Sequence, residues 1–356
     1  ISILRKIRDS RFELLRIIAI LMIILSHFSL FGQQYRLHTG ISAIDFFGIR
    51  LFQPFGALGV YLFVLITGYF IGTKSISKTK AYKKTLQIWF ETLFYTFTIF
   101  VIFVVIKPDA FNLKNLVMAI FPFTFGAYWF VTAYIMLMLI APFINIVVTN
   151  ITKKNLIFLI LAITVFGSIL PVLKNFVGGE ANSLMSILPA YLIGAFIHKY
   201  GVRVHYSGRI GFLVFLFMCA LGFGVTFIKG VEHGKGAYIG ILPLIVAVSI
   251  FLAVVKMTEF RSQIINQLAS TVFAAYLITE NTLVRPVIWS VLRFSSVKNV
   301  WLSDIYGFIS IIAITLVGVF VIDKTRQLIF KILHVDNLYN ISILKNVNLK
   351  AASSGK

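Results

Sequence analysis

Arg16 and His27 stand eleven positions apart inside the apolar stretch RFELLRIIAILMIILSHFSLFG, residues 11–32. At about 100° per residue, eleven steps of an α-helix return to within about 20° of the starting direction, so the two side chains share one face, about 16 Å apart along the axis. A guanidinium can donate two parallel hydrogen bonds to a phosphate. A neutral imidazole titrates near working pH and can take a proton from an attacking hydroxyl. It can equally attack an acyl donor and carry the group itself, and the spacing does not choose between these routes. A donor with an anionic head at Arg16 and a long arm ending at His27 would suit the pair, and acyl-CoA has that shape. Each residue also has a plainer reading. An arginine near a helix end can snorkel, and a histidine within a span can rest on an interhelical hydrogen bond. For both to act on one molecule they must open onto a shared slot.

Glu280 and Asn281 lie in a second apolar stretch, TVFAAYLITENTLVRPVIW. A carboxylate there is costly unless paired or wet. Glu280 can orient His27 or bind acceptor hydroxyls; the alternative is a structural ion pair with Arg285. Glu91, near the inner end of another apolar run, poses the same question with less to support it.

These groups need a frame. The chain is 59% hydrophobic and 13% charged, with a mean hydropathy of +0.94, whereas ordinary globular domains are about 25% charged. The implied class is an all-α polytopic membrane protein. About ten transmembrane helices are expected, over 14–31, 52–72, 88–106, 128–149, 155–173, 184–199, 210–228, 237–256, 269–290 and 301–322. Most of the 33 basic residues fall at the N-terminus, in the tail and on alternate loops, such as Lys74 to Lys84, Lys153–Lys154 and Lys256–Arg261. Lys and Arg favour cytoplasmic loops, so both termini are expected in the cytoplasm.

The transmembrane domain is expected to cover 1–335, followed by a cytoplasmic tail, 336–356, whose final AASSGK resembles a tag remnant. The segment DKTRQLIFKILHVDNLYNISILKN is expected to begin as an amphipathic helix along the inner membrane surface. No cleavable signal peptide is expected, because no A-x-A-like site follows the first apolar run. The net charge of +21 reads as topological bias and attraction to anionic lipid headgroups rather than nucleic-acid binding. A lone cysteine, Cys219, excludes an intrachain disulfide. No HExxH, P-loop or GxSxG pattern occurs, so no metal is expected. His198, His205 and His233 read as solvated.

The ordered motifs resemble the membrane-bound acyltransferase-3 family, bacterial multi-span O-acyltransferases of surface glycans. The resemblance rests on Arg–x10–His in RIIAILMIILSH, on FVLITGYF with Thr67, Gly68 and Tyr69, on YWFVTAYIMLMLIAPFIN with Trp129, Tyr134 and Pro142, and on AAYLITEN, residues 274–281. It implies an O-acyltransferase, most simply an O-acetyltransferase, in the bacterial plasma membrane. Acyl would pass from cytoplasmic acyl-CoA, with acetyl-CoA the expected donor, to a surface polysaccharide or lipid-linked sugar. Arg16 and His27, with Glu280, would be catalytic. Arg16, Lys78, Lys83 and Lys84 would hold the donor, although these lysines also fit a plain positive-inside loop. Thr67, Tyr69, Trp129, Tyr134 and Asn281 would form an acceptor pocket, although Thr67 also suits close helix packing and the two aromatics suit an interfacial belt. The sequence departs from the family in its all-lysine first cytoplasmic loop and in lacking the late-motif histidine at Thr279–Asn281. No appended hydrolase-like domain is expected. The competing reading is a transporter or exporter of glycan or small solute, which predicts discontinuous helices in matched positions of two halves.

Overall fold

The computed structural model describes residues 8–37, 41–75, 78–123, 128–169, 184–201, 207–229, 240–291 and 297–335. The Lys78 side chain, His205, His233 and the tail from residue 336 lie outside these. The described residues are helical throughout their regular structure. Among the described residues, six helical segments are long and apolar enough to cross a membrane: Ser10–Arg36, Ala43–Ile71, Ala81–Ile106, Trp129–Asn150, Gly208–Ile228 and Val300–Ile332. Leu184–Tyr200 and Ile241–Lys256 are shorter apolar helices. The expected spans over 155–173 and 237–256 fall partly outside the described residues.

The chain opens with α1 (Ser10–His27), a π-turn (Phe28–Gly32) and α2 (Ala43–Arg50). Next come α3 (Phe55–Ile71), α4 (Lys78–Ile106), α5 (Leu113–Ile120) and α6 (Trp129–Asn150). They are followed by α7 (Lys153–Thr164), α8 (Leu184–Tyr200), α9 (Ser207–Lys229) and α10 (Ile241–Lys256). The last part holds α11 (Gln263–Ala269), α12 (Val272–Thr279), α13 (Val284–Val291), α14 (Val300–Ala313) and α15 (Val319–Ile332).

The core is a slab in which α3 lies between α1 and α8, built on Leu15, Ile20, Ile24, Leu62, Leu65 and Tyr191, each at most 2% exposed. Large apolar side chains such as Phe158, Phe212 and Ile228 point outward, as befits lipid contact rather than water. Lipid tails are as apolar as the helix surfaces, so the helices associate through close packing. A methyl group on Gly68 would fall 2.0 Å from the Tyr191 carbonyl oxygen, and one on Gly194 would fall 2.3 Å from that of Leu65. Thus α3 and α8 meet backbone to backbone.

Tyr69 sits at the same end, stacked on Phe12 at 5.4 Å and edge-on to His198 at 4.9 Å. The start of α1 is tied to the end of α10: Ser10 N–H donates to the Phe260 carbonyl at 3.0 Å, and the Arg11 guanidinium donates to the carbonyls of Val255 at 3.2 Å and of Met257. Lys199 Nζ, at the end of α8, donates to the carbonyls of Val148 and Thr149 at 2.7 and 3.0 Å. The start of α1 and the ends of α3, α6, α8 and α10 therefore gather on one face.

Two expectations are corrected. The stretch 269–290 is not one helix: α12 ends at Thr279, the chain breaks over 280–283, and α13 begins at Val284. The segment after residue 323 does not begin on the membrane surface. Asp323 is 0% exposed and Arg326 8% exposed, and both pack against α4. There the Tyr95 hydroxyl donates to Asp323 Oδ1 at 2.7 Å, Arg326 Nε to the same oxygen at 2.6 Å, and Gln327 Nε2 to Oδ2 at 2.7 Å. The other arm of Arg326 lies 3.1 Å from Glu91 Oε1. A periodicity argument sees basic and apolar residues alternating at helical spacing; it does not see that Glu91 and Tyr95 wait on α4 to receive them.

Candidate active site

His27 occupies the last residue of α1, where the helix loosens into the Phe28–Gly32 π-turn. Such bulges are frequent at functional sites, because they re-aim a side chain without ending the helix. Gly32 allows the turn to close: a methyl group there would fall 2.7 Å from Phe28 and 3.3 Å from Trp289 of α13. Opposite, Glu280 caps the C-terminus of α12 at the break. Asn281 holds the break open. Its Oδ1 accepts from Leu283 N–H at 2.9 Å, and its Nδ2 donates to the Tyr128 hydroxyl at 3.1 Å. Tyr128 in turn donates to the Leu277 carbonyl at 2.9 Å, one of those freed where α12 stops.

The break brings Glu280 Oε1 to 2.7 Å from His27 Nδ1. That is ion-pair distance, although the angle does not complete a hydrogen bond at either atom. With Nδ1 turned to the carboxylate, Nε2 is the ring nitrogen left to face a reacting group. Side-chain exposure is 17% for His27 and 10% for Glu280, so the pair is sheltered yet reachable. Arg285 completes the group: its guanidinium lies 3.8 Å from Glu280 Oε2 and 4.1 Å above the Phe31 ring. Glu280 therefore lies between His27 and Arg285, one near each carboxylate oxygen.

Arg16 lies about three turns below on α1. Its NH1 is 2.5 Å from Glu13 Oε1, which also faces Arg8 at 3.7 Å. Glu13, 3% exposed, therefore holds the arginine in place, a role that sequence reading missed although it lies one turn away. Arg16 keeps 26% of its side chain exposed and is within Coulombic range of Lys84 and Tyr134. Lys84 is exposed and Lys83 half-buried on the first turns of α4. Thr67 donates to the Phe63 carbonyl at 2.9 Å, so the Tyr134 hydroxyl, 3.0 Å away, donates to Thr67. Thr67 and Tyr134 thus lie toward the Arg16 end. Tyr69 belongs to the Phe12 aromatic cluster at that end too, and Trp129 stands edge-on to Phe130 at the start of α6, ring centres 6.0 Å apart.

The expected slot from Arg16 to His27 is closed. Ile20 and Ile23, which lie on the connecting face of α1, are 1% and 2% exposed. Ile23 packs directly on α3, where a methyl group on Gly59 would fall 2.7 Å from its Cγ1. A small cavity behind the break is lined by Thr96, Tyr128, Asn281 and Thr282 among others, but by neither Arg16 nor His27.

A half-buried histidine beside a carboxylate, on a helix whose far end carries a held arginine, is an arrangement of groups that acid–base or nucleophilic chemistry in a membrane protein would use. The family model described as an acyltransferase domain matches residues 9–324. The chain belongs to this acyltransferase-3 family, and it is an acyltransferase. No curated protein and no solved structure matches it.

Proposed function

We propose that the chain is an O-acyltransferase, in the first instance an O-acetyltransferase. It takes acyl from cytoplasmic acyl-CoA and passes it to a hydroxyl of a surface polysaccharide or lipid-linked sugar in the bacterial plasma membrane. The observation that carries this is the 2.7 Å His27–Glu280 contact within a chain of acyltransferase family membership. Glu280 fixes the imidazole with Nε2 outward and stabilises the imidazolium once it forms. Nε2 takes the proton of the acceptor hydroxyl as its oxygen attacks the thioester carbonyl. The C–S bond then breaks, and the imidazolium returns the proton to the departing thiolate. Arg16, with Lys83 and Lys84 behind it, holds the phosphates at the basic face, which this reading assigns to the cytoplasm together with both termini of a roughly ten-span bundle. Thr67 and Tyr134 then border the donor arm, while Asn281 shapes the acceptor end. Because the tract at Ile23 is closed, donor binding must part α1 from α3 there. The break between α12 and α13 is the kind of discontinuity a transporter would use; here it serves to present Glu280.

The test is transfer of label from acetyl-CoA to cell-wall or capsule glycan by the purified full chain in nanodiscs, beside His27→Ala. Label in the glycan, or glycan-dependent CoA release, that the variant lacks is the expected result. Glycan movement across the bilayer with no thioester turnover would overturn it.

A further inference from the structure

Arg285 is the cation beside the His27 site, and it is placed differently from Arg326. Arg326 hydrogen-bonds Asp323 at 2.6 Å and lies 3.1 Å from Glu91. The Arg285 guanidinium lies 3.8 Å from Glu280 Oε2, beyond hydrogen-bond distance, and its side chain makes no hydrogen bond among the described residues. Other contacts hold it. Its backbone N–H donates to the Asn281 carbonyl at 2.8 Å, which fixes the first turn of α13 on the break. The Phe31 ring lies beneath it, 4.1 Å from the guanidinium carbon. The same ring packs beside His27, ring centres 5.9 Å apart. Phe31 belongs to the π-turn, whose Gly32 meets α13 so closely that a methyl group would fall 3.3 Å from the Trp289 ring. One phenylalanine therefore keeps the cation and the imidazole in register.

Unspent N–H groups on a guanidinium are costly inside a bilayer. Arg285 keeps 30% of its side chain exposed, against 17% for His27 and 10% for Glu280. Of the three groups it is the most open to an incoming molecule. Acyl transfer also needs something that His27 and Glu280 do not supply. When a hydroxyl oxygen adds to a thioester carbonyl, the carbonyl oxygen takes on negative charge, and a fixed donor at that oxygen in a sheltered site lowers the barrier. His27 is occupied with the proton, and Glu280 is an anion. Asn281 spends its amide on Leu283 N–H and the Tyr128 hydroxyl. Toward the same face, the buried Asp304 is another acceptor, taking a hydrogen bond from Gln33 Nε2 at 3% exposure. Arg285 is the nearby donor whose hydrogen bonds are not already made.

We propose that Arg285 is a further catalytic residue, the group that binds the thioester carbonyl oxygen as charge develops on it. This rests on the acyl-transfer reading. The acceptor oxygen bonds to the carbonyl carbon while its proton passes to His27 Nε2, and the carbonyl electron pair moves onto oxygen, which accepts from Arg285. The pair then returns, the C–S bond breaks, and the imidazolium gives its proton to the departing sulfur. Arg285 stays protonated throughout, and Phe31 positions it.

The test is acetyl-CoA turnover with cell-wall or capsule glycan by the full chain in nanodiscs, beside acetyl-CoA binding and thermal melting. Arg285→Met should lower kcat by about a hundred-fold or more, with acetyl-CoA affinity and melting temperature as in wild type. Arg285→Lys keeps a cation above Phe31 and covers the case in which the methionine variant does not fold; it should lower kcat about ten-fold, because an ammonium lacks the planar fork. Combination with Glu280→Gln separates direct action from action through the carboxylate: Arg285→Met should still cost about ten-fold or more on that background. No further loss there would make Arg285 only a holder of Glu280 and overturn the proposal. Wild-type kcat in either single variant would overturn it too. So would a loss that appears in acetyl-CoA binding instead of kcat, which would mark a phosphate holder. A wild-type chain with no thioester turnover would remove the acyl-transfer reading and this inference together; wild-type turnover that survives Arg285→Met would remove this inference alone.

Discussion

Two of the carboxylate sites buried among the helices are partnered differently. Asp323 accepts from Tyr95, Arg326 and Gln327, and Arg326 spends its remaining arm on Glu91. Every strong donor there already faces an acceptor within the protein. Glu280 lies 2.7 Å from His27 Nδ1 and 3.8 Å from the Arg285 guanidinium, yet Glu280 Oε1 and His27 Nδ1 complete no hydrogen bond among the described residues. The first arrangement fastens α15 to α4 and offers a substrate nothing. The second leaves polar atoms uncommitted beside a sheltered, partly exposed ring. Burial and charge alone do not separate scaffold from chemistry in a membrane; what separates them is whether the network closes on itself.

The sharpest way to break this comparison is His27→Ala. Loss of a general base costs about 10²–10⁴ in rate, so kcat should fall by roughly three orders of magnitude with the melting temperature unchanged; residual activity above a tenth of wild type would remove His27 from the chemistry. Arg326→Met should do the reverse. It strands Glu91 and Asp323 without their cation, a loss of about 3–5 kcal/mol for a buried pair. Unfolding should then occur at clearly lower denaturant, while the folded fraction keeps its kcat. Glu280→Gln should lie between, with about a hundred-fold lower kcat because the orienting carboxylate becomes an amide. A matching fall in stability would move Glu280 into the scaffold class.

Smaller effects sharpen the picture. Ile23→Ala should raise acceptor-independent hydrolysis of acetyl-CoA a few-fold, read as free thiol, by loosening the contact with Gly59. The smallest concerns Asp9, outside the spans. Hydrogen bonding from the Arg11 side chain holds its carboxyl below the ordinary range. A depressed carboxyl stabilises the fold above its unfolded pKa, and that contribution disappears as pH falls through the lower folded value. Hydrogen exchange at the start of α1 should therefore quicken on acidification below about pH 4, and Asp9→Asn should remove the step.

Much of the site was legible because polar residues in apolar runs are conspicuous. Arg16, His27, Glu280 and Asn281 announce themselves, and helical spacing puts the first two on one face. What periodicity cannot give is pairing between distant segments. Nothing local marks Glu280 as the neighbour of His27 or Tyr128 as the prop for Asn281. The break over 280–283 carries no glycine or proline at its centre; its signals are Asn281 capping Leu283 and a tyrosine far away in sequence. Asp323 and Arg326 were misread because their alternation with apolar residues is what a surface helix also shows. Gln33 and Asp304 fell outside every motif, and only their burial makes them visible.

The contact of Ile23 on Gly59 has a meaning for the cell apart from catalysis. Polar groups enter the bundle from both faces: arginines and lysines at one, and Asp304, Gln33 and the His27 pair toward the other. A continuous wet path between them would let protons run down the potential that the membrane maintains. Ile23, pressed against the bare Gly59 backbone, and Ile20 on the same face leave no such path along this side of α1.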